Sequence, residues 1–186
     1  MHLNDSFGKH TGFNKVCNHH EQASAMAAES YARLTGNIPI VNVTIGPGGI
    51  NTLNGVFGAW VDSIPMLVVS GQVKYETTLD STDLPLRQLG DQECDVISMV
   101  KDITKYAVMV TKPEDILYHL EKALYLAKTG RPGPVWVDIP MNIQGAMIDP
   151  GKLKKFDPQV EQSSSSQVSE LLNSARLEKG PHKKAR

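Results

Sequence analysis

Apolar and polar positions along the first 150 residues follow two periods, one typical of buried strands and one typical of helices. Four short, β-branched runs bounded by Pro or Gly predict strands. They lie at residues 38–44, 65–71, 106–110 and 134–138. A shorter apolar run, formed by Phe13, Val16 and Cys17, predicts one more strand ahead of these four.

Helical spacing of Ala, Leu and Met fills the segments between the predicted strands. It predicts helices over His20–Leu34, Ile50–Val61 and Pro113–Lys128, with Gly36 placed to cap the end of the first. Strands that alternate with helices favour a three-layer α/β/α fold with a mostly parallel sheet.

The composition of the chain changes after Pro150, where a polar segment leads into a run of four serines at 163–166. We interpret residues 1–12 as a short N-terminal segment and 13–150 as the folded domain. Residues 151–186, with a helical pattern at 168–176, are expected to be a linker and the start of a truncated central domain.

The composition of the chain limits the partners and the cellular compartment that we expect for it. A net charge of −1 in 186 residues gives no global field that would recruit nucleic acid or an anionic membrane. Cys17 and Cys94 are far apart and lack metal-ligand spacing, which favours a reducing compartment. Because no apolar run is long enough for a membrane span and the start lacks a secretory signal, we expect a cytoplasmic protein.

The segment His20-Glu21-Gln22-Ala23 opens the first predicted helix with a carboxylate. A glutamate in a first turn often does no more than stabilise the helix dipole, so its position alone leaves the role of Glu21 open. His19 and His20 are adjacent, and adjacent side chains on a helix point in different directions, which argues against a shared metal ion.

The run Gly46-Pro47-Gly48-Gly49-Ile50-Asn51 follows a predicted strand and leads into a helix. Glycines at such a turn allow the backbone to approach a ligand closely, although an ordinary strand-to-helix connection also uses them. The spacing fits neither the dinucleotide fingerprint nor the phosphate-binding P-loop.

These two motifs, together with residues 31–36, 62–65, 70–73, 87–93 and 130–140, closely resemble the pyrimidine-binding domain of thiamine-diphosphate enzymes of the acetolactate synthase-like group. The resemblance extends over residues 13–148. It implies that Glu21 is the catalytic carboxylate, hydrogen-bonded to the cofactor's aminopyrimidine in a water-poor site that raises its pKa.

By the same resemblance, further residues line the site. Pro47, Gly48 and Asn51 are expected on the pyrimidine side of the cofactor. His20, Gln72 and Gln92 are expected along the substrate channel. Asp91 stands where acetolactate synthases carry an aromatic residue, which puts pyruvate condensation in doubt and leaves cofactor binding untouched.

The Gly-Asp-Gly motif with which this family holds the diphosphate through Mg²⁺ is absent from the sequence, as is the strand-helix unit that normally precedes the His-Glu motif. The expectation is therefore a chain that binds thiamine diphosphate by its pyrimidine end only and shows little activity alone. A homodimer or a complementary diphosphate-binding chain would complete the site, for cleavage or formation of C–C bonds in 2-oxoacids. Flavin binding stays open, and a catalytically inert dimerisation or regulatory fragment is the alternative.

Overall fold

The structure, a computed structural model, describes residues 2–161 and contains one parallel sheet in that range. Its strands are β1 (Ile40–Thr44), β2 (Met66–Gln72), β3 (Tyr106–Met109) and β4 (Pro134–Pro140). They lie in the order β1-β2-β4-β3, and each neighbouring pair is parallel. The four strands predicted at residues 38–44, 65–71, 106–110 and 134–138 are confirmed to within two residues at each end.

Six α-helices accompany the sheet in the described range. They are α1 (His2–Lys9), α2 (Glu21–Thr35), α3 (Pro47–Val61), α4 (Val96–Val100), α5 (Ile116–Lys128) and α6 (Met141–Gln144). Gly36 caps α2 as predicted, because its φ of 69° is left-handed and its N–H donates to the carbonyl of Ala32. The three predicted long helices are therefore confirmed, and α1 is an addition that the sequence pattern did not indicate.

Side chains of alternate residues in the strands pack into two separate hydrophobic cores, one on each face of the sheet. Val41, Val68 and Trp136 belong to the core on the side of α2, α3 and α4. Leu67 and Val137 belong to the core on the opposite side, which α5 covers. Helices therefore cover both faces of the sheet, and the expected three-layer α/β/α fold is confirmed.

The strand predicted at Phe13, Val16 and Cys17 does not form, and that prediction is wrong. The ring of Phe13 instead lies 5.7 Å from that of Phe7 in α1 and 4.9 Å from that of His10. Val16 is exposed, and the segment makes no ladder with β1. Asn14 and Lys15 interrupt the apolar run, so the segment has no continuous apolar surface to bury as a strand beside the edge strand β1.

The chain divides into two compact units, Met1–Lys155 and Phe156–Arg186. The first contains the whole sheet. Of the second, the structure describes residues 156–161, where the amide of Gln159 donates to the side chain of Asp157. The serine run at 163–166 and the helix predicted at 168–176 lie outside the described residues. No helix within residues 2–161 is long and apolar enough to cross a membrane.

Candidate functional site

Glu21 is the first residue of α2 and lies half-buried beside the glycine-rich turn. The residue before it, His20, is the N-cap: its Nδ1 accepts a hydrogen bond of 3.2 Å from the amide of Gln22. His20 therefore uses one ring nitrogen to start the helix, and its side chain is otherwise exposed.

The glycine-rich turn joins the end of β1 to the start of α3. Gly46 has a φ of 66°, and Pro47 occupies the first turn of α3, where its missing N–H costs nothing. A Cβ atom on Gly48 would lie 2.7 Å from Thr44 Cγ2 and 3.3 Å from Glu21 Oε1. The absence of a side chain at Gly48 thus leaves the space in which the Glu21 carboxylate lies.

Asn51, one turn into α3, holds the other oxygen of this carboxylate. Its Nδ2 donates a hydrogen bond of 3.1 Å to Glu21 Oε2. This bond is the main reason why the pKa of Glu21 lies below its ordinary value, and partial burial acts in the opposite direction. The expected water-poor site that raises this pKa is therefore not formed by the described residues alone.

Gln92 lies on the other side of the same turn. Its backbone has a left-handed φ of 55°, and a Cβ atom on Gly46 would collide with its carbonyl oxygen. The loop that carries Gln92 can therefore approach the turn only because residue 46 is glycine.

Gln72, the last residue of β2, belongs to a buried polar network with Ser70, Trp136 and Asp138. Its Nε2 donates to Asp138 Oδ2 at 2.9 Å, and its Oε1 accepts from the amide of Val73 at 3.0 Å. Ser70 donates to the other oxygen of Asp138 and accepts from the indole N–H of Trp136. The side chain of Gln72 is thus engaged within the protein.

Asp138 is a residue that the sequence analysis did not single out for a role. It is 1% exposed, and this burial raises its pKa from 3.8 to about 6, against the hydrogen bonds from Ser70 and Gln72. The signal that could have revealed it is a carboxylate inside an otherwise apolar strand, because a buried charge requires partners.

A cavity of about 500 Å³ opens at the carboxyl ends of β1 and β2. Thr44, Gln72 and Gln92 are among its lining residues. Thr44 lines this cavity, and its Cγ2 also lies close to Gly48, next to the Glu21 carboxylate. This is the edge at which open parallel sheets bind ligands.

The arrangement fits one end of a cofactor such as thiamine diphosphate. A carboxyl group held by an amide and set against a glycine turn can accept a hydrogen bond from a heterocyclic N–H when it is ionised, and can donate one to a ring nitrogen when it is protonated. For the charged end, residues 2–161 offer no group of three or more His, Cys, Asp or Glu side chains that could hold a metal ion.

Comparison with known proteins points the same way. Residues 1–99 match the family model described as thiamine pyrophosphate enzyme, N-terminal TPP binding domain. The chain is 43% identical over 129 residues to the acetolactate synthase large subunit of Haemophilus influenzae, which covers 69% of this chain and 21% of that protein. It is 42% identical over 132 residues to the isozyme 3 large subunit of Escherichia coli, with 71% of this chain and 22% of that protein covered.

A third relative extends the similarity over almost the whole chain. The acetolactate synthase large subunit of Lactococcus lactis is 33% identical over 183 residues, which is 96% of this chain and 30% of the relative. The chain thus spans less than a third of the length of these curated relatives. With the family model matched over more than half of its residues, the chain belongs to the thiamine pyrophosphate enzymes and contains their N-terminal TPP-binding domain, of the acetolactate synthase-like kind.

Proposed function

We propose that this chain supplies the pyrimidine-binding half of a thiamine-diphosphate site in an acetolactate synthase-like enzyme that acts on 2-oxoacids. When bound, thiamine diphosphate would act as the electron sink that accepts the electron pair of a C–C bond broken next to a carbonyl group, or returns it when such a bond forms. The single observation that carries the proposal is the position of Glu21, whose carboxylate lies against Gly48 and accepts from Asn51.

Glu21 has the role of the acid in this proposal. Asn51 engages Oε2, so Oε1 remains to face a ring nitrogen of the pyrimidine. Placing the ring there would remove water from the carboxylate and raise its pKa from the low value of the free chain. The proton shared with the ring nitrogen would then favour the imino tautomer that the chemistry requires.

The diphosphate and its Mg²⁺ would be held by a second domain, either in a homodimer or in a complementary chain. Large apolar side chains on the outer side of α3 support the presence of such a partner. They are Ile50, Phe57 and Val61, of which 44%, 55% and 52% is exposed. Ile50 directly precedes Asn51 in this helix, so a partner that covers Ile50 would lie next to the Glu21–Asn51 pair.

The test combines the purified chain with a polypeptide that carries the diphosphate- and metal-binding domain of a relative, Mg²⁺, thiamine diphosphate and a 2-oxoacid. Loss of a general acid typically reduces turnover by about 10²-fold or more, which is the effect expected for Glu21→Gln. Glu114→Gln changes an exposed carboxylate in the 3₁₀ turn before α5, and this matched control should keep full turnover.

Two outcomes would contradict the proposal. Turnover that survives Glu21→Gln would remove this carboxylate from the mechanism. Self-association without any turnover in the presence of the complementary domain would favour the inert dimerisation or regulatory fragment.

A further inference from the structure

Gln72 lines two cavities at the carboxyl ends of the strands, although the hydrogen-bonding groups of its amide are used within the protein. One is the cavity at the ends of β1 and β2. The other, of about 520 Å³, is lined by residues of β3 and α4 and by Asp138 in β4. The partners of the amide therefore indicate what Gln72 does better than its place beside the cavities.

The side-chain amide of Gln72 joins three segments of the chain. Its Nε2 lies 2.9 Å from Asp138 Oδ2 in β4 and 3.4 Å from the carbonyl oxygen of Cys94, in the loop at 90–95. Its Oε1 accepts from the amide of Val73 at 3.0 Å, which fixes the orientation of the group. One nitrogen atom thus connects a buried carboxylate to a loop outside the sheet.

The loop at 90–95 packs directly on the glycine-rich turn. Burial raises the pKa of the Cys94 thiol, and a hydrogen bond from the backbone N–H of Gly46 acts in the opposite direction. The carbonyl oxygen of Gln92 lies 2.3 Å from where a Cβ atom on Gly46 would be. The carbonyl of Gly46 in turn accepts from the amide of Ile50 at 3.0 Å, in the first turn of α3. A shift of the loop would therefore move the start of α3, where the Glu21 carboxylate is held.

The strength of the bond from Gln72 to Asp138 depends on whether Asp138 is ionised, because charge-assisted hydrogen bonds are roughly twice as strong as neutral ones. Helices α3 and α4, which pack on this face of the sheet, carry no titratable side chain. The other titratable side chains of the cavity that Asp138 lines are three carboxylates and a thiol, and none of the described lining residues is basic. They are Asp80, Glu93, Cys94 and Asp95.

We propose that Gln72 is a positioning residue of the cofactor site, which transmits the ionisation of Asp138 to the glycine-rich turn and so to the Glu21 carboxylate. The inference rests on the proposed function and deepens it, because this residue would act without touching cofactor or substrate. The Asp138 carboxyl and the Cys94 carbonyl compete for one nitrogen. Ionisation of Asp138 strengthens the first bond and loosens the connection of Gln72 to the loop, and protonation has the opposite effect.

The test follows three NMR signals of the isolated chain from pH 4 to pH 8, with neither cofactor nor partner present. They are the amide of Gly46 and the side-chain carboxyl ¹³C signals of Asp138 and Glu21. In wild type, the Gly46 and Glu21 signals should both shift at the pH at which Asp138 itself titrates, about 6. The pKa of Glu21 is lowered by its hydrogen bond from Asn51, so this carboxylate is already ionised there and reports the transmitted change.

Gln72→Met keeps the length of the side chain and removes both N–H donors. Asp138 should then titrate at a higher pH, because a donor that favours its ionised form is lost, while the shifts of Gly46 and Glu21 near pH 6 should disappear. Gln88→Met is the matched control in the same loop. The exposed amide of Gln88 donates to the carbonyl of Gly90 at 2.8 Å, within the loop, so both shifts should remain.

Two further variants assign the shift of Gly46 to its source. Asp138→Asn should abolish it, and a shift that survives would belong to another group and overturn the proposal. Glu21→Gln should leave it in place, and its loss there would trace the shift to Glu21 instead. Because no turnover, cofactor or second domain enters this assay, its failure is distinguishable from failure of the proposed function.

The remaining outcomes decide the role of Gln72. Shifts of Gly46 and Glu21 that survive Gln72→Met, or that are lost equally in Gln88→Met, would overturn it. A shift of Gly46 without one of Glu21 would end the coupling at the turn and also overturn it. If a variant does not fold, wild type still decides, because Gly46 and Glu21 signals that do not follow the titration of Asp138 would contradict the proposal.

Discussion

Gly55 in α3 lies directly against Ala25 in α2. A Cβ atom on Gly55 would lie 2.5 Å from the Ala25 Cβ and 2.8 Å from the Ala25 carbonyl carbon. Both positions are buried, so no solvent separates the two helices at this point. Because α2 carries Glu21 and α3 carries Asn51, this close approach sets the distance between the two residues on which the candidate site depends.

Gly55→Ala should therefore destabilise the protein by about 1–3 kcal/mol, since backbone atoms of α2 must move to admit the methyl group. Gly58→Ala is the matched control in the same helix, because its Cβ atom would meet nothing within 4 Å. There the substitution should stabilise by up to about 1 kcal/mol through lower chain entropy. Chemical denaturation of both variants measures the contrast, and equal effects would contradict the close packing.

Gly48→Ala tests the space beside the Glu21 carboxylate. The new methyl group would press on Thr44 Cγ2 and on Glu21 Oε1. Combining it with Thr44→Ser removes the first contact and leaves the second, so the double variant should still displace the carboxylate. Side-chain carboxyl ¹³C shifts of Glu21 report this displacement.

The neighbouring substitution Gly49→Ala is the control for Gly48→Ala. Its Cβ atom would have ordinary contacts of 3.6–3.7 Å, and the Glu21 signal should stay in place. A Glu21 signal that moves equally in both variants would indicate a general disturbance of the turn.

Asn51→Ala should raise the pKa of Glu21 towards its ordinary value, because it removes the main hydrogen bond that favours the ionised carboxylate. Asn54→Ala, an exposed position one turn further along α3, should leave this pKa unchanged. An NMR pH titration of the Glu21 carboxyl group measures both, and an unchanged value in Asn51→Ala would contradict the assignment.

Much of the fold follows from local patterns. The strands β2 and β4 are visible because an almost fully buried parallel strand is a continuous apolar run, and Pro65 and Gly133 mark where they begin. The half-buried strands β1 and β3 are recognisable by their β-branched residues. The run at Phe13 is shorter, is interrupted by Asn14 and Lys15, and pairs with no strand of the sheet, and pairing is not encoded in composition. Its failure to form a strand therefore could not be predicted from the run itself.

The candidate site, too, could be predicted only in part from the sequence. The turn residues Gly46 and Gly48 and the carboxylate of Glu21 are recognisable because motif and spacing carry them. The direction in which the pKa of Glu21 shifts is not recognisable from the sequence, because it depends on a hydrogen bond from Asn51 in α3 to Glu21 in α2. The buried partnership of Gln72 with Asp138 is likewise invisible, since it joins positions 66 residues apart on neighbouring strands.

Asp138 should make the stability of this protein fall as the pH rises from about 4 to about 6. Below its ordinary pKa of 3.8 the carboxyl group is protonated in both folded and unfolded chains. Between 3.8 and about 6 the unfolded chain releases the proton while the folded chain, in which burial raises the pKa, retains it. Ionisation therefore favours the unfolded state throughout this interval, and above it the difference is constant.

The loss can reach about 3 kcal/mol, the free energy that corresponds to a pKa difference of roughly 2. Asp138→Asn should remove this dependence, since the amide does not titrate. Because the N–H₂ group of the new amide would face the Nε2 donor of Gln72, the substitution should also lower stability at every pH. Asp102→Asn, an exposed position, should keep the wild-type slope. Urea denaturation at pH values from 4 to 7 gives the three curves, and only the difference between wild type and Asp138→Asn isolates this carboxyl group from the others. A wild-type curve parallel to that of Asp138→Asn would show that the group is already ionised at the acid end, with Ser70 and Gln72 outweighing its burial.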